Sequence, residues 1–181
     1  MTAFNKQTLA FLKDYGVAGA TLSPELTAKE IRRLATETNL PLACIVHGRL
    51  ELMVSEYCVT GSFLGGCGEG PCSQPCTRGH FALKDRKDAL FPLAMDQFCH
   101  MHVLNSKTLS MLPHAMKFRP AGIATLQIEA KAMGEKEITA IIKAYKKAMD
   151  FPSEPTEAQL AWIHEQEGKD ITRGHYFRGV L

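Results

Sequence analysis

The sequence predicts an α/β fold built from helices and strands that alternate along the chain. Such alternation is typical of parallel sheets and of α/β barrels. It occurs in the first part of the chain and again near its end, on either side of a cysteine-rich stretch. A closed barrel of eight α/β units needs roughly 250 residues, and this chain has 181. The sequence therefore predicts either a smaller open α/β domain or the C-terminal part of something larger.

The first two helix–strand pairs are the clearest. The segment "KQTLAFLKDYG" places apolar residues on one helical face and ends at Gly16, a residue type that commonly follows helices. The apolar segment "VAGATLS" follows as a short strand. A second helix is predicted in "TAKEIRRLATET", where Thr27 and Glu30 form a capping box. The β-branched and apolar segment "PLACIVHG" predicts a second strand.

The later elements resume this pattern. "HFALKD" and "ALFPLAMD" flank the turn-forming "DRKD" and predict a β-hairpin. We then expect a helix in "SKTLSMLPHAMKF", a strand in "GIATLQIEAK" and an amphipathic helix from Glu135 to Asp150. The predicted core-facing side chains of that helix are Ile138, Ile141, Ile142 and Tyr145. "DFPSEPTEAQ" is interpreted as a short linker.

Composition excludes several classes of protein. The formal net charge of +2 is too small to predict nucleic-acid binding by itself. No apolar run reaches the length of about eighteen residues that a membrane span needs, and the N-terminal segment has no secretory signal. We therefore expect a cytoplasmic protein in a reducing compartment, where structural disulfides are rare.

The cysteines interrupt the α/β pattern. Residues 55–80 hold six glycines, two prolines and four cysteines, and metal–thiolate bonds would hold such a loop together. The spacing of Cys58, Cys72, Cys76 and Cys99 is less regular than the paired knuckles of zinc ribbons and closer to iron–sulfur ligation. Spacing alone leaves iron–sulfur, zinc, redox-active thiols and chance open. Cys44 lies in an apolar strand and is predicted to be a buried side chain.

Polar residues at two predicted strand ends are candidates for an active site. His47, Arg49 and Glu51 alternate after one strand, and Glu129 ends another. In barrels the carboxyl ends of the strands carry the functional groups. The competing interpretations are a solvated strand end for His47 and a structural pairing of Glu129 with a nearby lysine.

Two further segments are candidate ligand sites. Asn105 or Ser106 is predicted to cap the helix that follows. Lys107 at that N-terminus opposes the helix dipole, which points to an anionic ligand such as a carboxylate. The tail "TRGHYFRG" interleaves basic and aromatic residues that can stack on unpaired bases. A packed β-strand with two exposed arginines is the competing interpretation of the tail.

Several sequence blocks carry a family resemblance. The blocks "HGRLELMVSEYC", "GPCSQPCTRGHFALKDRKDALFPLAMDQFCHMHVLNSKTLSML", "GIATLQIEAK" and "TRGHYFRGV" together resemble the collagenase-like peptidase family, a prokaryotic group of unassigned catalytic type. The resemblance implies a TIM-like barrel followed by a cysteine-bearing segment. Similar proteins hydroxylate a uridine of transfer RNA, a cytidine of ribosomal RNA or the ring of a ubiquinone precursor. They carry a 4Fe–4S cluster, and the RNA-acting members depend on prephenate.

The resemblance also implies the ligands of the cluster. Cys58 matches the family cysteine of the "SxxC" block, and Cys72 and Cys76 match its paired cysteines. Cys99 is the implied fourth ligand, which leaves Cys67 as a bystander unless it replaces Cys99.

The remaining site candidates include a departure from the family pattern. His47 and Glu129 are the catalytic candidates, and Lys107 and Lys131 are the cofactor-binding candidates. The family block "KIEGR" is "QIEAK" here, so Lys131 stands in place of an arginine and lacks its bidentate fork.

On this interpretation the chain has three segments. Residues 1–54 form terminal α/β barrel units, 55–104 a cluster-binding segment with a hairpin, and 105–181 a returning α/β unit with a helix and tail. The N-terminal half of the barrel has no counterpart in the sequence. We therefore expect a partner chain that supplies this half, or self-association.

Three functions remain open at this point. The first is an iron–sulfur enzyme that hydroxylates a base in RNA. The second is a peptidase acting on collagen-like chains, although the sequence has no H-E-x-x-H motif and no familiar signature around a Ser or Cys nucleophile. The third is a cluster-bearing module that pairs with a separate barrel chain.

Overall fold

The computed structural model describes residues 2–66, 70–131, 133–152 and 154–178. The helices are α1 (Lys6–Asp14), α2 (Ala28–Thr36), α3 (Val59–Leu64), α4 (Glu135–Met149) and α5 (Glu157–Gln166). The strands are β1 (Thr2–Ala3), β2 (Ala20–Leu22), β3 (Leu42–Gly48), β4 (Glu51–Ser55), β5 (Phe81–Lys84), β6 (Leu90–Met95), β7 (Met101–Leu104), β8 (Thr108–Ser110), β9 (Thr125–Glu129) and β10 (Ile171–Thr172). Short 3₁₀ helices lie at Pro75–Thr77 and Leu112–Lys117. Among these described helices, none is long and apolar enough to cross a membrane.

The chain folds as two compact units. The first comprises Met1–Gly48 with Leu109–Leu181, and the second comprises Arg49–Thr108. The segment boundaries predicted from the sequence were 54 and 104. The second unit begins and ends a few residues further out because β4 pairs with β7 and belongs to the inserted sheet.

Strand β3 is the centre of the first unit. It pairs in parallel with β2 and β9, and β2 pairs in parallel with β1. Strand β8 pairs antiparallel with the end of β3, and β10 follows β8 in the sheet. Strand β3 is buried over most of its length, as expected of a strand covered on both faces. The predicted parallel α/β elements on both sides of the cysteine-rich stretch are confirmed, and the observed class is mixed α/β.

The helix ends follow the capping rules that the sequence predicts. Helix α1 begins at Asn5, whose side chain accepts a hydrogen bond from the Thr8 N–H at 2.9 Å. It ends before Gly16, which has a φ of 79°. The capping box of α2 is confirmed, because the Thr27 hydroxyl accepts from the Glu30 N–H and the Glu30 carboxylate accepts from the Thr27 N–H.

Two buried tyrosines attach other parts of the first unit to β3. The register between β3 and β9 shifts between Ile45 and His47. At this bulge the Tyr176 hydroxyl donates to the Ile45 carbonyl at 2.6 Å, and the Tyr145 hydroxyl donates to the Val46 carbonyl at 2.7 Å. The Val46 carbonyl also accepts from the Met111 N–H at 2.9 Å. Both carbonyls lie in a buried strand, where a carbonyl without any donor costs about 1–3 kcal/mol.

A buried ion pair fixes the C-terminal segment to β8. The Arg173 guanidinium donates to both carboxylate oxygens of Glu167, whose side chain is only 3% exposed. Arg173 also donates to the Ser110 carbonyl at 2.7 Å, and the Ser110 hydroxyl donates to Glu167 at 2.8 Å. The pair therefore connects the turn after α5, the segment after β10 and the end of β8.

The second unit contains an antiparallel sheet in the order β4-β7-β6-β5 within its described residues. The predicted hairpin is confirmed as β5 and β6, which pair from Phe81 opposite Leu93 to Lys84 opposite Leu90. Asp85 holds the connecting turn by accepting from the backbone N–H groups of Lys87 and Ala89.

Three predictions about local structure were wrong. The helix expected in "SKTLSMLPHAMKF" is instead β8 followed by a 3₁₀ helix, because Pro113 cannot extend an α-helix from upstream and Ser110 pairs with His47 of β3. The last three residues of the expected linker already belong to helix α5, which begins at Glu157 and is capped by Thr156 and Gln159. The tail is strand only at Ile171–Thr172.

The burial prediction for α4 was correct only in part. Tyr145 is buried, whereas Ile142 is 39% exposed. The buried stripe passes through Ala144, Tyr145 and Ala148 instead, so the face predicted from the isoleucines is rotated toward solvent.

We expect Arg173→Met to destabilise the first unit, because it leaves the Glu167 carboxylate buried without its cation. Breaking a buried ion pair costs about 3–5 kcal/mol, and the lower end of that range applies because Arg173 is partly exposed. Trp162, the single tryptophan, lies on α5 and reports urea unfolding of this unit by fluorescence. Arg178→Met removes an exposed arginine and is the matched control. Equal midpoints for the two variants would contradict the role of the pair.

Candidate functional site

The carboxyl ends of β3 and β9 lie side by side in the first unit. Gly48 pairs with Glu129 at this end. Gly48 has a φ of 118°, and a Cβ atom there would lie 2.1 Å from the Glu129 carbonyl oxygen. Only glycine allows this approach, so the local sequence brings the two candidate catalytic positions, His47 and Glu129, to neighbouring strand ends.

His47 is a buried histidine, 7% exposed. Its ring packs edge-on against Tyr145 with centroids 5.6 Å apart, and its Nδ1 atom lies 3.4 Å from the Tyr145 hydroxyl. Burial lowers the pKa of His47, and the Glu167 carboxylate opposes this shift only in part. His47 is therefore neutral at pH 7, and it serves as a hydrogen-bonding group rather than as a cation.

The two catalytic candidates lie on opposite faces of the sheet. The register places His47 beside Ile128 and Gly48 beside Glu129. Side chains alternate between the two faces along a strand, so His47 and Glu129 project in opposite directions. His47 faces Tyr145 of α4, in agreement with this register. The structure brings the two residues to one end of the sheet and does not bring their side chains together.

Glu129 belongs to a row of polar side chains across the other face. The Gln127 amide donates to the Glu129 carboxylate at 2.6 Å, and the Thr21 hydroxyl donates to the Gln127 amide oxygen at 3.2 Å. Thr21 is on β2, and Gln127 and Glu129 are on β9. The row fixes the orientation of a half-buried carboxylate at a strand end, which suits it to accept a hydrogen bond or a proton from a ligand.

Arg49 and Glu51 have structural contacts within the second unit. Arg49 donates to the backbone carbonyls of Asn105 and Ser106. The Glu51 carboxylate lies 2.6 Å from Nδ1 of His102. Both contacts connect the start of the second unit to its end, because Glu51 is on β4 and His102 is on β7.

The two candidate cofactor-binding lysines are exposed. Lys107 does not lie at a helix N-terminus, because Asn105 accepts from the Lys107 N–H in a turn that leads into β8. The predicted helix cap at Asn105 or Ser106 was therefore wrong. Lys131 follows β9 directly after Ala130.

The candidate metal ligands lie in the second unit, on four separate pieces of backbone. Cys58 caps α3, and its sulfur accepts from the Gly61 N–H at 3.3 Å. The Cys72 sulfur accepts from the Gln74 N–H at 3.4 Å. Cys76 is in the 3₁₀ helix Pro75–Thr77, and Cys99 is in the turn between β6 and β7 with a φ of 63°.

The chain segments that carry the four cysteines meet the second sheet at one end. Strand β4 ends at Ser55 opposite Met101, where β7 begins, and Met101 also pairs with Met95 at the end of β6. Strand β5 begins at the same end, since Phe81 pairs with Leu93. The segments that carry the cysteines leave or enter the sheet at this end. Within residues 2–66, 70–131, 133–152 and 154–178, no three His, Cys, Asp or Glu side chains are close enough to hold a metal ion.

The alternative ligand Cys67 lies outside the described residues, so the choice between Cys67 and Cys99 stays a prediction. Cys44 does not belong to the cysteine-rich end. It is 1% exposed inside β3, as predicted, and burial raises its pKa to about 12.

Asp96 organises the turn that carries Cys99. Its Oδ1 atom accepts from the backbone N–H groups of Phe98 and His100, and Oδ2 lies 3.0 Å from Nδ1 of His100. Although burial raises the pKa of Asp96, these hydrogen bonds outweigh it and lower the pKa to about 2. The ionised carboxylate also lies 3.6 Å from Nε2 of His102. It therefore holds Cys99 in a left-handed conformation that a non-glycine residue rarely adopts.

The roles of Asp96, His102 and Gln127 were not predicted from the sequence. A usable signal was present in "DQFCHMH", where an aspartate and two histidines surround Cys99. Gln127 stands two residues before Glu129 and therefore shares its face of the strand.

The buried His47 and the half-buried His114 of the first unit predict a loss of stability in acid. The folded-state pKa of His47 is lowered by burial, and that of His114 by burial and then by Lys117. The unfolded chain therefore takes up protons first as the pH falls below about 6.5. We expect the urea midpoint to be constant above about pH 6.5 and to decrease toward pH 5. The decrease should be smaller in the double variant His47→Gln, His114→Gln. The exposed His80→Gln is the control, and an unchanged slope in the double variant would contradict the assignment.

Comparison with known proteins gives a family and two curated relatives. The model for peptidase family U32 matches residues 1–179. The chain is 22% identical to tRNA hydroxylation protein P1 of Bacillus subtilis over 166 residues, which cover 89% of this chain and 39% of that protein. It is 27% identical to a collagenase of Porphyromonas gingivalis over 106 residues, which cover 58% of this chain and 24% of that protein. The chain thus spans about two fifths and one quarter of these relatives. No solved structure shows significant similarity.

The family match extends over both units, so it includes the strand ends that carry His47 and Glu129 and the sheet end that carries the cysteines. It agrees with the resemblance that the sequence blocks predicted. The chain belongs to peptidase family U32.

Proposed function

We propose that this chain is part of an iron–sulfur protein that hydroxylates a base in transfer RNA or ribosomal RNA. The observation that carries the proposal is that the chain segments bearing Cys58, Cys72, Cys76 and Cys99 leave or enter the second unit's sheet at the same end. The similarity to a tRNA hydroxylation protein over 89% of the chain supports the same class of function.

The donor set suits an iron–sulfur cluster. The four side chains are free thiols that are half-buried or exposed. Thiolates gathered from separate backbone segments are the usual ligands of such clusters. Their segments hold few apolar contacts of their own, so ligation by Cys58, Cys72, Cys76 and Cys99 would order the loop as it binds. When bound, a 4Fe–4S cluster supplies one-electron chemistry.

Other residues of the chain have separate tasks in this proposal. Asp96 fixes the turn that presents Cys99. Glu129, oriented by Gln127, is the carboxylate that accepts a hydrogen bond or a proton from the ligand at the strand ends. His47 acts as a neutral group at the end of β3.

The exposed cations Lys107 and Lys131 are the proposed contacts for a carboxylate cofactor such as prephenate. An ammonium group attracts a carboxylate as a point charge, without the paired hydrogen bonds of an arginine. Lys131 follows the strand that ends at Glu129 and is the candidate in the first unit.

The parallel strands β1, β2, β3 and β9 suit part of a TIM-like barrel. Among the described residues, β1 and β9 are the outer strands of this parallel group, because each has one parallel neighbour. An unpaired strand edge presents backbone groups for another strand. We therefore propose that activity needs a chain that completes the barrel, or a second copy of this one.

The cluster assignment predicts the iron content of cysteine variants. After anaerobic purification we expect about four iron and four sulfide per chain, with the broad visible absorption of a 4Fe–4S cluster. Replacing Cys58, Cys72, Cys76 or Cys99 by serine removes one thiolate, so each variant should lose more than half of the iron.

Cys44→Ala is the matched control, because Cys44 is a cysteine of the same chain that is buried in β3. It should keep its iron. Loss of iron in Cys44→Ala alone, or full iron in Cys99→Ser, would contradict the ligand assignment. Zinc instead of iron after anaerobic purification would contradict the iron–sulfur proposal.

The RNA proposal predicts a modified nucleoside. Expression in a bacterial strain that lacks its own RNA hydroxylation genes, together with a barrel fragment from a U32 relative, should add one oxygen to a nucleoside of transfer or ribosomal RNA. Mass spectrometry of digested RNA measures this product. Cys99→Ser should abolish it and Cys44→Ala should not. An iron-loaded, soluble protein that leaves all RNA unmodified would contradict the proposal.

A peptidase is the second candidate, because the collagenase of Porphyromonas gingivalis matches 58% of the chain. Ser110 lies opposite His47 in the antiparallel pairing of β8 with β3, and its hydroxyl donates to the Glu167 carboxylate. However, Ser110 is 0% exposed and cannot reach a peptide in this conformation. Gelatin cleavage that disappears in Ser110→Ala would favour the peptidase over the RNA proposal.

A further inference from the structure

A cavity with apolar walls lies in the first unit, away from the strand ends. Its volume is about 60 Å³, and it opens to solvent between α2, the 3₁₀ helix Leu112–Lys117 and the C-terminal segment. Ile31, Phe118 and Tyr176 line it and are buried. The rings of Phe118 and Tyr176 pack edge to face with centroids 5.6 Å apart, so this wall is fixed by the core and formed before any ligand enters.

The mouth of the cavity is positively charged. Arg32 from α2 and Lys117 from the 3₁₀ helix both line it and are exposed. Among the described residues, neither side chain makes a hydrogen bond or an ion pair. No aspartate or glutamate among the residues that the structure describes lines the cavity. The cavity therefore has two cations beside an apolar wall and no lining carboxylate to neutralise them. An external anion could take that place.

His114 and Phe177 complete the mouth. Their rings pack edge to face with centroids 4.9 Å apart, and Phe177 is 58% exposed. Burial lowers the pKa of His114, the charges of Lys117 and Arg173 lower it further, and the Glu167 carboxylate opposes the shift only in part. At neutral pH His114 is therefore an uncharged hydrogen-bonding group at the mouth.

We propose that this cavity binds a small amphipathic carboxylate, with its apolar body against Ile31, Phe118 and Tyr176 and its carboxylate at Arg32 and Lys117. One water molecule needs about 10–15 Å³ of such volume, so about 60 Å³ accepts a group of several heavy atoms, such as a phenyl ring or a branched alkyl group. Charge-assisted hydrogen bonds to the guanidinium then fix the carboxylate. The site lies wholly in the first unit, and this inference goes beyond the proposed function because it requires no cluster.

Titration calorimetry with three probes tests the site. Benzoate combines the ring and the carboxylate, benzamide keeps the ring without the charge, and inorganic phosphate keeps the charge without the ring. We expect benzoate to bind with a dissociation constant below 1 mM and at least tenfold more tightly than benzamide or phosphate. Benzoate that does not bind at 10 mM, or phosphate that binds as tightly as benzoate, overturns the proposal.

Variants locate the binding. Arg32→Met and Lys117→Met should each weaken benzoate at least fivefold, and Ala121→Leu should abolish binding by filling the cavity that Ala121 lines. Arg33→Met is the matched control, because Arg33 is the next residue of α2, does not line the cavity and lies 3.9 Å from the Glu37 carboxylate. It should bind benzoate as the wild type does.

Thermal unfolding of each variant separates loss of the site from loss of the fold. Benzoate should raise the unfolding temperature of the wild type and of Arg33→Met, and should leave that of folded Ala121→Leu unchanged. If Arg32→Met and Lys117→Met bind benzoate as Arg33→Met does, the carboxylate assignment is wrong. Failure of this ligand proposal would not change the iron content expected of the cysteine variants, so the proposed function would be unaffected.

Discussion

The first unit depends on the backbone of β3 at its bulge. The register shift between Ile45 and His47 interrupts the ladder with β9, and the buried carbonyls of Ile45 and Val46 then need donors from elsewhere. Tyr176 donates to the Ile45 carbonyl, and Tyr145 and the Met111 N–H donate to the Val46 carbonyl. These tyrosines come from the C-terminal segment and from α4, so satisfying two backbone oxygens attaches both segments to the central strand. Burial raises the pKa of each phenol, so both remain protonated donors over the physiological pH range.

The same strand also defines where the second unit is inserted. Gly48 is the last residue of β3 and pairs with Leu109, the first residue of the first unit after the insertion. The chain therefore leaves and re-enters the first unit at neighbouring positions. Such an insertion adds little loop-closure cost to the first unit, because its two ends are already held by a strand pairing. Gly48 also passes the Glu129 carbonyl at a distance that excludes any Cβ atom. One glycine thus permits both the close approach of β9 and the exit of the chain.

Local sequence signals predicted the elements with strong periodicity or capping chemistry. The capping box at Thr27, the strand that contains Cys44 and the hairpin around Asp85 were all found, because each depends on neighbours within a few residues. The segment around Pro113 was not, since pairing of Ser110 with His47 joins residues far apart in sequence and overrides a helical pattern. The same limit applied to predicting where the site residues lie. Alternation predicted that strand-end residues would face a site, but the bulge in β3, which no local pattern announces, reverses the face of His47 relative to Glu129.

Backbone groups hold two of the sulfurs at the cysteine-rich end of the second unit. The Cys58 and Cys72 sulfurs accept hydrogen bonds from the N–H groups of Gly61 and Gln74. Gly65 is required beside them, because a Cβ atom there would lie 2.6 Å from the Cys72 sulfur. Gly65 therefore lets the backbone approach the Cys72 sulfur closely, and a residue with a Cβ atom cannot replace it unless that sulfur or the Gly61 carbonyl moves.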